Sequence, residues 1–359
     1  MTGQLRTVQL CSRRLTISLL HRSLASVLLT ALYLFTTACS QNDDTARYER
    51  YLDRLARPLS TDVPRIREPA RLRSPAVAEL QLAIAPSKLD ALDFLSLSGC
   101  QLQVTVGKRN SSLGKFAPPS QRLLLELEFL QFAPACIAHL RSQNETGIAQ
   151  LLESTHADKL LQLPGRIFNA TLGSQEFATF WQQPNRLGDY PRNTSSAVIS
   201  ALEAINAHTL RWLSGDFAAN NLEFELLLSE VARGDGGALA KALSSQDLWL
   251  SGANTMLQVT RAAGGLCDTG FKPASATILE NVVRKYFIGE IQPVAATLNR
   301  RHHQLIPAIE ALEESLFSAL PDSYRSWRKI RQETLTQAAT APRRHVQQLK
   351  TLLDPCLRL

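Results

Sequence analysis

The residues best suited to chemistry lie in one short polar segment that follows Gly107. Its candidate anion-binding or structural side chains are Lys108, Arg109, Asn110, Ser111 and Lys115. Cationic side chains together with backbone amides freed by Gly114 could bind a phosphate or a carboxylate. The alternative is a structural hub, in which Asn110, Ser111 and Ser112 cap helix ends and Arg109 pairs with a buried acid. We favour the hub, because the residue types that cap helices are concentrated in this segment.

No motif of a familiar catalytic class accompanies this segment. No two of the 17 glycines stand four residues apart, which excludes the serine-nucleophile pattern G-x-S-x-G. H-E-x-x-H, Walker A and G-x-G-x-x-G are missing as well. The adjacent His302 and His303 would point about 100° apart on a helix, so they could not easily share a metal. We therefore predict no catalytic residue, no cofactor and no metal.

The N-terminus has the composition of an export signal. Its first 38 residues contain four Arg and no Asp or Glu, and residues 23–35 are uncharged. This apolar run is too short to cross a bilayer and is typical of a signal peptide. Small residues precede Cys39, as in the bacterial lipobox, where the cysteine is acylated and becomes the new N-terminus. The sequence predicts a signal peptide over residues 1–38, cleaved before Cys39, and lipid attachment at Cys39.

The residues around Cys39 also suggest a location. The next residue is Ser40 rather than the Asp that favours retention in the inner membrane. We therefore expect a lipid anchor in the outer membrane, with the protein facing the periplasm and an envelope protein or glycan as a possible partner. Cleavage would remove four of the 39 basic residues and no acid, which lowers the net charge from +7 to +3. The basic pI is thus no argument for nucleic-acid binding.

Four cysteines would remain besides Cys39, and they are Cys100, Cys136, Cys267 and Cys356. An even number of cysteines in an oxidising compartment favours disulfides, and four cysteines allow three pairings. We favour Cys100–Cys136 and Cys267–Cys356, because each joins neighbours in the sequence. The alternative is four buried free thiols.

Hydrophobic residues recur at helical spacing along most of the chain. Examples are Leu123, Leu127 and Leu130, which follow a possible cap at Ser120. Further helices are expected to begin near Ser87 and to end near Pro164. Leu102–Val106 alternates like a strand but could equally be the buried end of a helix. We predict an all-α fold, a single elongated multi-helix bundle.

Three regions are expected in this organisation. Residues 1–38 form the signal peptide, and residues 39–75 form a lipidated tether, a short helix and an arm rich in Pro and Arg. Residues 76–359 form the α-helical domain. The leading hypothesis is a non-enzymatic envelope protein that binds a partner or ligand. The alternatives are an envelope enzyme acting on peptidoglycan or another anionic glycan near Arg109, and a lipid or small-ligand carrier.

Several short motifs, together with the lipobox, resemble a single family. They are Tyr51-Leu52-x-Arg54-Leu55, Cys100-x-Leu102, Arg109-Asn110-Ser111-x-Leu113-Gly114, Ser120-Gln121-Arg122-Leu123 and Pro134-x-Cys136. This combination is similar to the proteobacterial lipoprotein family known as domain of unknown function 3080. The resemblance implies a lipoprotein. It carries over no catalytic residue, because that family has no assigned activity.

Overall fold

The computed structural model describes residues 45–68, 71–85, 91–267 and 272–357. The signal peptide predicted over residues 1–38, the lipid-attachment residue Cys39 and the helix start expected at Ser87 lie outside these residues. Residues Asp44–Leu359 form one compact unit.

Helices, and no strands, make up the regular structure of the described residues, which confirms the all-α prediction. In chain order the α-helices are α1 (Ala46–Leu59), α2 (Val77–Leu80), α3 (Ala91–Ser96), α4 (Leu102–Asn110), α5 (Ser112–Lys115), α6 (Pro119–Ser142), α7 (Thr146–Ala170), α8 (Gln175–Phe180), α9 (Ala197–Leu213), α10 (Asn221–Ala232), α11 (Gly236–Ala262), α12 (Ala274–Val282), α13 (Gln292–Ser315), α14 (Asp322–Ala339) and α15 (Ala341–Leu357). A π-helical segment, Val283–Ile291, joins α12 to α13, and a 3₁₀ turn, Phe317–Ala319, follows α13.

Three hydrophobic cores hold these helices together. The largest joins the first half of α6 to α2, α7, α8, α9, α10, the start of α11, α13 and α14. A second core packs α1 against α11, α12, the π-helical segment and α15. A third lies between α4, the second half of α6 and the start of α7. Because α6 contributes to two cores, it fixes α4 and α7 relative to the main bundle.

Helix α6 is also long and apolar enough, by length and composition, to cross a membrane. In the fold, however, Leu123 and Leu127 of this helix are buried in the first core, and Phe129 and Ile137 are buried in the third. Its apolar residues are therefore used in packing, as expected of a core helix.

Both predicted cysteine pairs lie at disulfide distance. The Cα atoms are 5.3 Å apart in Cys100–Cys136 and 5.2 Å apart in Cys267–Cys356. The first bond ties the turn that precedes α4 to α6. The second ties the segment after α11 to the end of α15. The alternative of four free thiols is wrong for this structure.

Two local predictions are revised by the structure, and one open alternative is decided. Helix α6 begins at Pro119 and is not capped by Ser120, since proline is well suited to the first turn, where no N–H is needed. Helix α7 continues through Pro164 to Ala170 because Ile167 and Phe168 are fully buried, and this packing outweighs one lost backbone hydrogen bond. The ambiguous residues Leu102–Val106 are helical, within α4.

Candidate functional site

A carboxylate buried on α6 is the centre of a polar site in the described bundle. Helical spacing places Glu126 on the same face as Leu123 and Leu130, so its side chain enters the interior with theirs. Only 2% of the Glu126 side chain is exposed. A buried carboxylate is tolerated only when charged or hydrogen-bonded partners replace the water it has lost.

Three cations from two other helices surround Glu126. Nε of Arg109 on α4 lies 3.0 Å from its Oε1 atom, and Nη1 of Arg166 on α7 lies 3.5 Å from the same atom. Nζ of Lys159, also on α7, donates to Oε2. The side chain of Lys159 is buried as deeply as Glu126, whereas 29% of Arg109 is exposed. The cluster therefore runs from the interior to the surface.

Burial and the charges within the cluster shift the pKa values of its members. Burial alone would raise the pKa of Glu126, but Lys159, Arg109 and Arg166 together hold it below its ordinary value. Burial lowers the pKa of Lys159 to about 8, and the attraction of Glu126 only partly offsets this because Arg109 and Arg166 repel the ammonium group. Burial also lowers the pKa of Arg166. The cluster thus holds more positive charge than its single carboxylate neutralises.

A cavity of about 660 Å³ lies directly against this cluster. Its described charged lining consists of one acid, Glu126, and four cations, Arg109, Lys115, Arg122 and Arg166. We call this cavity the cationic pocket. Since Glu126 is already engaged by Lys159 behind it, the surplus positive charge faces the cavity. The volume falls in the range of small-ligand sites.

Another wall of the cationic pocket is the segment 81–85, which has no regular secondary structure. Asn169, at the end of α7, holds this segment through both atoms of its amide group. The backbone N–H of Leu82 donates to Oδ1 of Asn169 (2.8 Å), and Nδ2 of Asn169 donates to the carbonyl of Leu82 (2.9 Å). Gln81 adds a hydrogen bond to the carbonyl of Gly173 (2.8 Å). Apolar side chains of this wall, including Ile84, face the same cavity as the cations.

The rim of the pocket is the short helix α5. Oγ of Ser111 accepts a hydrogen bond from the N–H of Gly114 (3.1 Å) and donates one to the carbonyl of Lys108 (2.6 Å). Nη2 of Arg122 donates to the carbonyl of Lys115 (3.0 Å), which ties the rim to α6. A Cβ atom at Gly114 would lie 2.3 Å from the Lys108 carbonyl oxygen, so only glycine fits there. The Gly114 amide is therefore bonded to Ser111 and does not point at the pocket as a free donor.

The sequence offered two interpretations of the polar segment after Gly107, a structural hub and an anion-binding site. Its five candidate residues show features of both. Ser111 caps α5, and Arg109 pairs with a buried acid, as the structural hub requires. Arg109, Asn110 and Lys115 nevertheless line the cationic pocket, as a ligand site requires. Among the described residues the side chain of Asn110 makes no hydrogen bond, so it caps no helix there. Lys108 instead pairs with Glu128, at 3.0 Å.

Sequence reasoning missed four charged residues of this site, which are Arg122, Glu126, Lys159 and Arg166. A signal for two of them was present. Glu126 interrupts an apolar run, and Lys159 stands four residues from both Thr155 and Leu163, on a stripe that is otherwise buried. A charge on a buried helical stripe indicates a partner from another element. The sequence does not say which element supplies it.

Comparison with known proteins identifies a family but no relative of known activity. No curated protein and no solved structure matches the chain. The model of a family described as proteins of unknown function, DUF3080, matches residues 48–358. This match covers most of the chain and all of the cationic pocket, and the protein therefore belongs to the DUF3080 family.

Proposed function

We propose that this protein is a lipoprotein of the outer membrane that faces the periplasm and binds an anionic ligand in the cationic pocket without transforming it. The observation that carries the proposal is the charge of the pocket, where four cations meet one carboxylate that Lys159 already engages. Arginine suits this role because its planar group binds phosphate or carboxylate oxygens in pairs.

The lowered pKa and the burial of Glu126 favour ligand binding in the pocket over acid–base catalysis. A general acid or base works best when its pKa lies near the working pH. The pKa of Glu126 is held below its ordinary value by three cations, and its side chain is buried. As the only acid among the described lining residues, it would remain an ionised structural group during ligand binding.

The proposed location rests on the sequence before the helical unit. Cys39 follows an uncharged run and small residues, as in a lipobox. Two disulfides in the helical unit are consistent with an oxidising compartment such as the periplasm. Acyl chains on Cys39 would anchor the protein, while the helical unit would remain accessible to ligands in the periplasm.

The pocket can be tested by calorimetry with inorganic phosphate. The unit Asp44–Leu359 is suitable because it is compact and contains all three cores and both disulfides. Arg122→Gln should weaken phosphate binding at least ten-fold, and so should Lys115→Gln, since each removes a pocket cation near the surface. Arg141→Gln on the same helix is the matched control, because Arg141 pairs with Glu153 outside the pocket. Equal phosphate affinities for the wild type and Arg122→Gln would contradict the proposal.

A further inference from the structure

Two large apolar side chains stand beside the mouth of the cationic pocket and point into solvent. Leu113 is 87% exposed and Phe116 is 88% exposed. They flank Gly114 and Lys115, both of which line the pocket. We call Leu113 and Phe116 the apolar tip. Of all the large hydrophobic residues described, these two are the most exposed.

The apolar tip belongs to an ordered rim. The N–H of Lys115 donates to the carbonyl of Ser111 (3.0 Å). The carbonyl of Lys115, which directly precedes Phe116, accepts a hydrogen bond from Arg122. Gly114 packs directly on the carbonyls of Lys108 and Arg109. These contacts hold the backbone between the two side chains against the bundle. The fold thus presents Leu113 and Phe116 outward and does not bury them.

Charge surrounds the apolar tip on the pocket side. Lys115 lies between Leu113 and Phe116 in the sequence, and Arg122 is bonded to its carbonyl. Apolar side chains surrounded by cations are the chemistry by which proteins bind an anionic lipid surface, because the apolar groups enter the acyl boundary while the cations meet phosphates. A protein partner would not by itself account for a cationic pocket next to the tip.

The pocket itself has a lining suited to an amphiphile. Its four cations share the cavity with apolar side chains, which include Leu82, Ile84, Leu123 and Leu125. A phosphodiester could reach the cations while its glycerol and first methylenes contact the apolar wall. A free inorganic anion would make no contact with that apolar wall.

We propose that the apolar tip inserts into an anionic phospholipid surface and that the headgroup phosphate of one such lipid occupies the cationic pocket. This inference rests on the proposed function, since it identifies the anionic ligand as a phospholipid presented by a membrane. A membrane phospholipid and a soluble phosphate ester present the same chemical group to the pocket. We favour the phospholipid of a bilayer as the ligand.

The test is vesicle co-sedimentation with the unit Asp44–Leu359, which lacks the lipid anchor. Wild type should bind phosphatidylcholine vesicles that contain phosphatidylglycerol and should bind pure phosphatidylcholine vesicles much less. The double variant Leu113→Ser/Phe116→Ser should lose vesicle affinity by about ten-fold or more for each side chain removed from the membrane. Its affinity for glycerol phosphate in solution should stay at the wild-type value. Leu161→Ser is the matched control, because Leu161 is 83% exposed but lies outside the rim.

The outcomes separate this inference from the proposed function. Equal vesicle binding by wild type and the tip variant would overturn the inference. Binding of glycerol phosphate without binding of vesicles would also overturn it, while the proposed function would stand. If wild type binds neither phosphate nor glycerol phosphate, the proposed pocket itself is refuted. A dimer in sedimentation equilibrium that the tip variant abolishes would assign the tip to a second copy of the chain and overturn the membrane assignment.

Discussion

The ammonium group of Lys159 contacts the carboxylate of Glu126 in the interior of the helical unit, where the two side chains expose only 3% and 2% of their surface. Arg109 and Arg166 share the same carboxylate. One negative charge is therefore shared by three cations, and an anion entering the pocket would reduce the excess positive charge. This relationship connects the packing of α4, α6 and α7 to the proposed ligand.

Replacing Glu126 should damage the fold, because it would leave Lys159 charged and buried without a partner. Glu126→Gln is expected to lower the free energy of unfolding by roughly 3–5 kcal/mol, as when one member of a buried pair is removed. Glu128→Gln, two residues along the same helix, breaks the partly exposed pair with Lys108 and should cost about 0–1 kcal/mol. Urea unfolding measures both values. Similar losses in the two variants would mean that the buried cluster is not a structural element.

Anion binding should weaken as the pH rises through about 8. The pKa of Lys159 is lowered to about 8, mainly by burial, so its charge is present at pH 7 and mostly lost at pH 9. Sulfate is the suitable probe, because its own charge stays constant over this range. Lys159→Met should bind sulfate more weakly at pH 7 and should lose the pH dependence, while Glu126 keeps Arg109 and Arg166 as partners. The same pH dependence in wild type and Lys159→Met would contradict this assignment.

Acid should destabilise the fold through His345 on α15. Its Nδ1 lies 2.6 Å from Oδ1 of Asn254, which only accepts, so Nδ1 carries the hydrogen and Nε2 accepts from the hydroxyl of Tyr51 at 2.7 Å. Burial lowers the pKa of His345 from 6.5 to about 3. Between these values the unfolded chain binds a proton that the folded chain does not. The free energy of unfolding should therefore be unaffected by this group above pH 6.5 and should fall as the pH drops from 6.5 towards 3.

The variant His345→Gln separates this effect from general acid denaturation. It should be less stable than wild type near pH 7.5 by about 1–3 kcal/mol because buried hydrogen bonds are disturbed. Its stability should depend less on pH between 6.5 and 4. The exposed His139 provides the control, since His139→Gln should leave the wild-type slope unchanged. An unchanged slope in His345→Gln would rule out His345 as the acid-sensitive group.

Acylation of Cys39 is tested directly in cells. Palmitate labelling should mark the wild-type protein, since the proposed anchor is built on the thiol of Cys39, and Cys39→Ala should abolish the label. Cys11→Ala is the control, because Cys11 lies in the predicted signal peptide and would be removed on cleavage. Labelling that persists in Cys39→Ala, or is missing from wild type, would refute the lipid anchor.

The sequence by itself was sufficient to predict features that depend on residues close together in the chain. Residues such as Leu123, Leu127 and Leu130 recur with the period of the α-helix, and that period is set by backbone hydrogen bonds within a few residues. The helical class followed from such patterns. The pairing of Cys100 with Cys136 also followed, from closeness in the sequence. The polar segment after Gly107 was identified from composition, because residues that cap helices and bind anions are concentrated there.

Only the tertiary structure decided how these elements meet. Arg109, Glu126 and Arg166 come from three helices, and Asn169 adds the segment 81–85 from far earlier in the chain. From the sequence, Arg109 could serve a hub or a ligand site, and the fold is compatible with both, because its guanidinium pairs with Glu126 and Arg109 also lines the cavity. Which charged side chains converge depends on the packing of every helix between them. Local periodicity specifies the buried face of each helix but not the partner against which that face packs.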